Sequence, residues 1–347
     1  MKLAVLPHET PRLRLRRLAR ADLAHFQAYR GDAELGRYQG WLPMDGGAAD
    51  AFLREMAGSP FCPPGAWCQI GIAERGSDTL IGDIGIHLRA DSAAAEIGFT
   101  LARASQRRGL AAEAVAAAID LVFVHTAAMR VVGITDARNS ASLRLLDRIG
   151  LRRFAILDAV FRGERCVEHH HVRHRHGRAA PVLRAATAAD AEAVARVLIE
   201  TRRELMPFAP SARADDDVQR WVLGTLVPSG AVTVALVGGA VDAAVAGVLA
   251  LSARADALWI DQLSVHPTQV ARGIGCLLLK HALATPRQPV QPVQLYTFQA
   301  NHHARAFYER HGFQAVAFSD GADNEEQRPD VLYRLLRAPA AALPCAP

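Results

Sequence analysis

Short β-branched runs bounded by turn residues alternate along the chain with longer stretches whose apolar positions recur at a helical period, and the same order of segments is met twice. In the first pass a strand at Leu13–Arg17 precedes an Ala-rich helix opened by Asp22. In the second a strand at Val182–Ala185 precedes a helix opened by Thr187 and Asp190. A polar helical region follows at 48–56 and at 215–226, the latter with an Asp-rich first turn suited to the helix dipole. Paired strands come next, at 68–73 and Leu80–Leu88, then at 231–237 and 245–250, with turn signals such as Arg75-Gly76-Ser77-Asp78 and Gly238-Gly239 between them. Each pass then runs a strand into a glycine-bearing loop and an apolar helix (111–124 and 275–284). It closes with a strand, a helix ending at Gly150 or Gly312, and terminal strands. The predicted architecture of each half is a mixed, mainly antiparallel sheet flanked by helices, in the α/β or α+β class.

The landmarks keep nearly constant spacing, which is the mark of an internal repeat. Arg16-Arg17-Leu18-Ala19-Arg20-Ala21-Asp22 resembles Arg184-Ala185-Ala186-Thr187-Ala188-Ala189-Asp190 at an offset of 168 (184 − 16). Gly109 matches Gly273 at 164 (273 − 109), and Asn139 matches Asn301 at 162 (301 − 139). Two copies of one fold are therefore expected, at 1–177 and 178–347, with the seam in the polar stretch 174–181 that carries Gly177 and Pro181. The length of 347 residues agrees, since about 150 residues per domain is the ordinary prior.

Composition narrows the function classes. Half of the residues are hydrophobic and 22% are charged, as in globular rather than disordered chains. No apolar run approaches the roughly 20 residues of a membrane helix. The start, MKLAVLPHETPRLRLRR, lacks a long apolar segment and a small-residue cleavage site, so no signal peptide is expected. Cys62, Cys68, Cys166, Cys276 and Cys345 are scattered without a CxxC pair, which argues against a disulfide framework or a zinc site and for a reduced, cytoplasmic setting. The net charge of +5 raises nucleic acid as a partner. The basic residues are nevertheless spread through both halves, mixed with acids, and lack an aromatic-plus-basic stacking platform. No nucleic-acid and no membrane partner is expected.

The glycine loops carry the chemistry. A strand, a glycine loop and a helix N-terminus together present backbone N–H groups and the positive end of a helix dipole to an anion. In Gln106-Arg107-Arg108-Gly109-Leu110-Ala111 the glycine lets the backbone approach a pyrophosphate, and the two arginines add charge. The second loop is Gln269-Val270-Ala271-Arg272-Gly273-Ile274-Gly275. A tight turn is the rival reading of either, and the surroundings decide.

Those surroundings resemble the GNAT superfamily of N-acetyltransferases. QRRGLA fits the superfamily's Q/R-x-x-G-x-G/A loop, and the second half adds Leu263-Ser264-Val265-His266-Pro267 before its loop and Asn301-x-x-Ala304-x-x-Phe307-Tyr308-x-x-x-Gly312-Phe313 after it. The first half is similar to the RimJ/RimL branch of ribosomal-protein N-terminal acetyltransferases through TPRLRLRRL, GDIGIHL, AEIGFTL, QRRGLAAEA and DARNSASLRLLDRIGLRR. Two departures stand out. Val270 occupies the usual Gln/Arg position, so a rearranged first turn is expected in the second loop. Leu146 stands where Tyr308 stands in the second half, so the first half lacks a tyrosine acid.

The resemblance implies acetyl-CoA as cosubstrate in each half and direct transfer to a primary amine, which makes local arginine clusters intelligible as partners of a polyanion. Expected acetyl-CoA contacts are Leu101, Gln106, Arg107, Arg108, Gly109, Leu110, Ala111 and Asn139 in the first half. In the second they are Leu263, Val265, Val270, Ala271, Arg272, Gly273, Ile274, Gly275 and Asn301. Backbone N–H of Leu101 and Val265 would polarise the thioester carbonyl. Tyr308 is the expected acid toward the departing thiolate, with ring packing as its rival role. Asn139 and Asn301 are read as pantetheine partners or helix caps, and Ser142 as an acid or part of a cap. Glu96, otherwise a half-exposed strand residue, and Asp261 are the base candidates, with Glu96 aligning near Ile260. The acceptor stays open among a protein N-terminus, a polyamine, an aminoglycoside-like molecule and an amino-acid derivative. A chain with one catalytic half and one regulatory half that binds CoA or acceptor without turnover is the alternative. A monomer or homodimer is expected.

Other constellations rank lower. In Cys166-Val167-Glu168-His169-His170-His171 strand alternation splits the imidazoles between two faces, so no metal is expected. Asn324-Glu325-Glu326 is a candidate surface for a cationic acceptor, or a solvated loop. Trp41-Leu42-Pro43-Met44 and residues 60–67 suggest an aromatic-walled acceptor cleft, or a lid packed on the core.

Overall fold

The computed structural model describes residues 5–175, 181–238, 243–285 and 291–336. The chain divides into two compact units, Met1–Arg153 with Ala159–Arg175, and Phe154–Asp158 with His176–Pro347. The expected boundary between Gly177 and Arg178 lies outside the described residues.

The first sheet is built from β1 (His8–Glu9) and β2 (Leu13–Arg17), then, after helices α1 (Leu23–Arg30), α2 (Ala33–Gly36) and α3 (Gly46–Gly58), from β3 (Trp67–Glu74), β4 (Leu80–Leu88) and β5 (Ala94–Leu101). Helix α4 (Leu110–His125), β6 (Arg130–Asp136), α5 (Ser140–Arg148), β7 (Arg152–Phe161) and β8 (Glu164–His174) complete it. The strands lie in the order β1-β2-β3-β4-β5-β6-β8-β7. Strand β4 is buried at eight of nine positions, because helices cover both faces of the sheet. Ile72, Ile84, Ile97, Val115, Ile119, Val122 and Leu146 pack α4 and α5 on one face. Leu18, Phe26, Tyr29, Leu53 and Leu80 pack α1 and α3 on the other.

The second unit repeats the plan with β9 (Val182–Ala185), α6 (Ala191–Leu205), α7 (Asp215–Trp221), β10 (Val232–Val237), β11 (Ala244–Ala253), β12 (Leu258–Val265) and α8 (Ile274–Ala284). It ends with β13 (Val293–Phe298), α9 (His302–Arg310), β14 (Gln314–Ser319) and β15 (Asp330–Leu335). Read from β9, the order is β9-β10-β11-β12-β13-β15-β14, the same topology as the first sheet without its edge strand β1. The helix expected over 215–226 is α7 followed by a π-helical turn, Val222–Leu226.

One ion pair recurs at the repeat offset and fixes the entry of each first helix. Arg16 makes a bidentate contact to Asp22 (2.8 Å), and Arg184 does so to Asp190 (2.7 and 2.8 Å). Each Asp also accepts a backbone N–H three residues back, from Ala19 or Thr187. In the first unit a second pair lies deep under α1. Arg30 and Asp83 are 2% and 1% exposed and meet at 2.7 Å, with Tyr29 Oη donating to the same carboxylate and the guanidinium over Trp41, Phe26 and Phe52. Cys62, Cys68 and Cys166 are free thiols. Among the described residues no helix is long and apolar enough to cross a membrane.

Candidate functional site

Each sheet contains one parallel contact, and it is short. Strands β5 and β6 pair only at Ala94–Arg130, Ala95–Val131 and Glu96–Val132, and β12 and β13 only at Leu258–Val293 and Trp259–Gln294. Beyond those residues the strands part, and a cleft opens between their C-terminal ends, the place where open sheets receive ligands. Backbone polar groups along the parted edge have lost their sheet partner and need another.

The alternation of backbone direction decides which groups face the opening. Ala102 N donates to Ile81 O on the β4 side (2.8 Å), so the N–H and carbonyl of Leu101 point the other way, into the cleft. His266 N donates to Ala246 O (2.9 Å), which turns Val265 into the second cleft in the same manner. Both carbonyls are taken: Gln106 Nε2 donates to Leu101 O (2.9 Å), and Thr201 Oγ1 donates to Val265 O (3.1 Å). Gln106 therefore braces the end of β5 instead of lining the loop, and Thr201, which sequence reasoning missed, does its work in the second unit.

Below each cleft lies a glycine loop with the same unusual backbone. Arg107 (φ 61°) and Gly109 (φ 76°) are left-handed in the first unit, as are Ala271 (φ 58°) and Gly273 (φ 79°) in the second. The expected rearrangement around Val270 does not occur: Val270 (φ −61°, ψ 159°) has the extended conformation of Gln106 (φ −74°, ψ 167°), and its buried side chain replaces the Gln brace with packing. Two left-handed residues so close turn successive N–H groups inward, an anion-binding nest. The glycines are the N-caps of α4 and α8, and neither helix has a side-chain cap. The helices after β6 and β13, by contrast, are capped by Asn139 (Oδ1 accepting from Ser142 N, 3.2 Å) and Asn301 (from Ala304 N, 3.0 Å). Of these four helices, the two loop helices keep first-turn N–H groups for an outside anion. The side chains of Leu110 and Ile274 are buried in the cores, so these residues can offer the loop only their backbone.

Arginines flank the first loop. Arg108 is exposed and 3.4 Å from Glu74. Arg12 reaches across from the start of β2 to donate to Arg108 O (2.8 Å) and pairs with Glu113 in the first turn of α4 (2.7 Å). Burial pushes the Glu113 carboxyl up, but hydrogen bonds from Thr10 and Arg12 outweigh it and hold the group below its usual range. Arg12 lies in the segment TPRLRLRRL, far from the loop in sequence, and only the fold brings it to Gly109. In the second unit Arg272 donates to Gln269 Oε1 (2.9 Å).

The two clefts differ at their apex. Glu96 is the last residue of β5 paired to β6, and it faces His87 across β4, with Glu168 and His170 on the same side of the sheet. Burial pushes its carboxyl above the usual range, His87 and His170 oppose this, and Glu168 adds to it. The structurally equivalent residue of the second unit is Trp259, the last of β12 paired to β13, and not Ile260. The register between β11 and β12 slips beyond Ala250, so that Leu251 faces Ile260 while Ala250 faces Gln262, leaving Asp261 as the extra residue of a bulge. Asp261 is exposed there and bound by Arg254 (3.1 Å), so Trp259 and not Asp261 occupies the position that Glu96 holds in the first unit.

Tyr308 lies on α9 against Phe307, Phe313 and Tyr333 (ring centroids 5.2, 5.5 and 6.2 Å). Burial pushes its phenol upward, so it holds its proton at neutral pH. Leu146 fills the equivalent place in the first unit, its side chain closing on Gly133. Leu263 packs on the second core. Glu325 and Glu326 are neutralised by Arg213 and Arg202, so they do not present the open acidic surface considered from sequence. On β8, His169 and His171 face each other (6.4 Å), whereas His170 pairs with Glu168 (3.3 Å).

Comparison with known proteins agrees with this plan. Residues 12–152 match the acetyltransferase (GNAT) domain model and residues 198–313 the acetyltransferase (GNAT) family model, together well over half of the chain. No curated protein matches the chain. Similar solved structures include a GNAT-family acetyltransferase from Bacillus anthracis, 20% identical over 48% of this chain and 96% of that one, with a TM-score of 0.44. A GCN5-related N-acetyltransferase from Brucella melitensis is 17% identical over 50% and 80%, with a TM-score of 0.43. RimL, a ribosomal L7/L12 alpha-N-protein acetyltransferase in complex with coenzyme A, is 14% identical over 48% and 97%, with a TM-score of 0.42. The chain belongs to the GNAT acetyltransferases and carries two of their domains in tandem.

Proposed function

We propose that each unit binds acetyl-CoA and that the chain transfers the acetyl group to a primary amine by direct attack. The observation that carries this reading is made twice: a parallel strand pair parts directly beside a glycine nest and an uncapped helix N-terminus. The nest and helix end hold the pyrophosphate, and Arg12, Arg107 and Arg108 add charge in the first unit. Asn139 and Asn301 keep their amide N–H groups for the pantetheine arm while their oxygens cap. The N–H of Leu101 or Val265 polarises the thioester carbonyl, and confinement of both reactants supplies the proximity term. In the first unit Glu96 takes the amine proton, its raised pKa suiting a base that must also release it, and Ser142 is the candidate donor to the thiolate. In the second unit Tyr308 is that donor. The acceptor is a small-molecule amine or a protein N-terminus, and the domain boundary is placed at Gly177.

The alternative division, with one half catalytic and one regulatory, draws on Leu146 in place of Tyr308. A screen of amine acceptors for release of free thiol by the full chain tests the main reading, with Gly109→Asp and Gly273→Asp assigning activity to each cleft. Unchanged acetyl-CoA affinity in both variants would sink it. If Tyr308→Phe alone removes all turnover while two acetyl-CoA molecules still bind, the regulatory division is correct.

A further inference from the structure

The two acceptor walls can be compared residue by residue, because β6–β8 and β13–β15 pair in the same register. Ile134 faces His170 as Tyr296 faces Leu332, and Asp136 faces Glu168 as Phe298 faces Asp330. At the apex Glu96 opposite His87 becomes Trp259 opposite Ser252. A wall of titratable groups in the first unit is thus an aromatic wall in the second. We propose that the second unit acetylates a flat, weakly basic aromatic amine, uncharged at neutral pH, held against Trp259, Tyr296 and Phe298. This rests on the acetyltransferase reading above and names the substrate class of one of its two clefts.

Three observations favour such a ligand over an ammonium ion. First, Trp259 and Tyr296 are stacked (5.6 Å, 21°), and Tyr296 is 55% exposed, so one more ring can extend the stack. Phe298 continues the wall and meets Phe208 at 6.4 Å. Second, the charges beside the rings are guanidiniums: Arg254 lies 4.5 Å over Trp259 and Arg202 5.1 Å over Phe298. Two nearby carboxylates are engaged by arginines, Asp261 by Arg254 and Glu326 by Arg202, while Asp330, at the outer end of the wall, accepts from Asn324 through Oδ2 and keeps Oδ1 buried without a partner among the described residues. Third, Trp259 Nε1 and Ser252 Oγ are buried, lack hydrogen-bond partners among the described residues, and belong to directly opposed residues. Buried polar atoms of this kind call for a hydrogen-bonding partner. They are suited to an oxygen substituent carried by the ligand's ring.

The chemistry closes without a base at the apex. An alkylammonium must lose a proton before it can attack, which is the task of Glu96 in the first cleft. An aromatic amine already carries its lone pair free at pH 7. Its nitrogen attacks the thioester carbon, the C–N bond forms, and the C–S bond breaks. The nitrogen, strongly acidic once bonded to the carbonyl carbon, loses one proton to water. Tyr308 gives its proton to the departing thiolate and regains one from solvent, so the products are the N-aryl acetamide and the free thiol of coenzyme A.

The test uses the full chain carrying Gly109→Asp with Glu96→Gln, which weakens acetyl-CoA binding in the first cleft and removes its base so that turnover comes from the second, with aniline and 4-aminobenzoate compared against benzylamine and spermidine by thiol release. The aromatic amines should be acetylated with a rate flat between pH 6 and 8. Tyr296→Leu should raise their KM about threefold to tenfold, the range of one lost ring stack, with kcat held within twofold, and Tyr296→Phe should restore it. Turnover of the alkylamines alone, or a KM indifferent to Tyr296→Leu, overturns the inference while leaving the acetyltransferase reading in place. Failure of the second cleft to bind acetyl-CoA at all would instead remove that underlying reading, and the inference with it.

Discussion

Gly109 permits a perturbation in which charge alone is varied. Its φ of 76° is one that Asn and Asp tolerate better than other side chains, and a Cβ there would meet only Arg12 Nη2, at an ordinary 3.5 Å. Gly109→Asn and Gly109→Asp therefore carry the same backbone cost, about 1–2 kcal/mol at most, and the same bulk. They differ by one negative charge at the mouth of the nest. A unit charge about 4 Å from a phosphate is worth about 1 kcal/mol in bulk water and about 4 kcal/mol at an effective dielectric of 20. The exposed loop lies toward the lower end, about 1–3 kcal/mol, so Asp should bind acetyl-CoA roughly 5- to 150-fold more weakly than Asn. Titration calorimetry on chains that also carry Gly273→Asp isolates the first cleft. The gap should shrink at 1 M salt, where the screening length is about 3 Å. Equal affinity of the Asn and Asp variants would refute the placement of the pyrophosphate at this loop.

Three further outcomes follow from the same geometry. With Gly109→Asp and Glu96→Gln together suppressing the first cleft, Tyr308→Phe should keep acetyl-CoA affinity and lower kcat by roughly two to four orders of magnitude, and a parental rate would make Tyr308 a packing residue. Because the folded state raises the Glu96 pKa, its contribution to stability is present at low pH and lost as pH rises through that value. Glu96→Gln should accordingly melt no lower than the parent at pH 8 and equal to it at pH 4, while first-cleft kcat/KM falls at pH 8 and the gap narrows toward pH 4, where the parent carboxyl is itself protonated; a lower melting point at pH 8 contradicts the assignment. Arg30→Met leaves the buried Asp83 carboxylate unpaired and should cost about 3–5 kcal/mol in urea unfolding of the first unit, much of it recovered when Asp83→Asn is added.

The repeat and both loops were legible in the sequence, because a left-handed glycine between a strand and an apolar helix leaves a local signature. Leu146 opposite Tyr308 was legible for the same reason, since α5 and α9 start from identically capped asparagines. What depends on register was not. Asp261 reads as an ordinary strand residue, yet its bulge shifts the alignment and sets Trp259, rather than Ile260, at the place of Glu96. Long-range contacts were equally hidden. Arg12 acts on residues about a hundred positions away, Gln106 turns back to Leu101, and Thr201 reaches Val265, none of them through a local pattern. The Glu325–Glu326 pair looked free because its arginine partners lie in another part of the unit.

The central claim is that acetyl passes from acetyl-CoA to an amine nitrogen in these clefts. Its most direct measurement follows acetyl-labelled acetyl-CoA through the full chain in the presence of primary amines, with the parent compared against Gly109→Asp combined with Gly273→Asp. The account predicts label in an amide on the acceptor, one free thiol released per amide formed, and loss of both in the double variant. Thiol release without labelled amide on any amine, or transfer that survives the double variant, would contradict it.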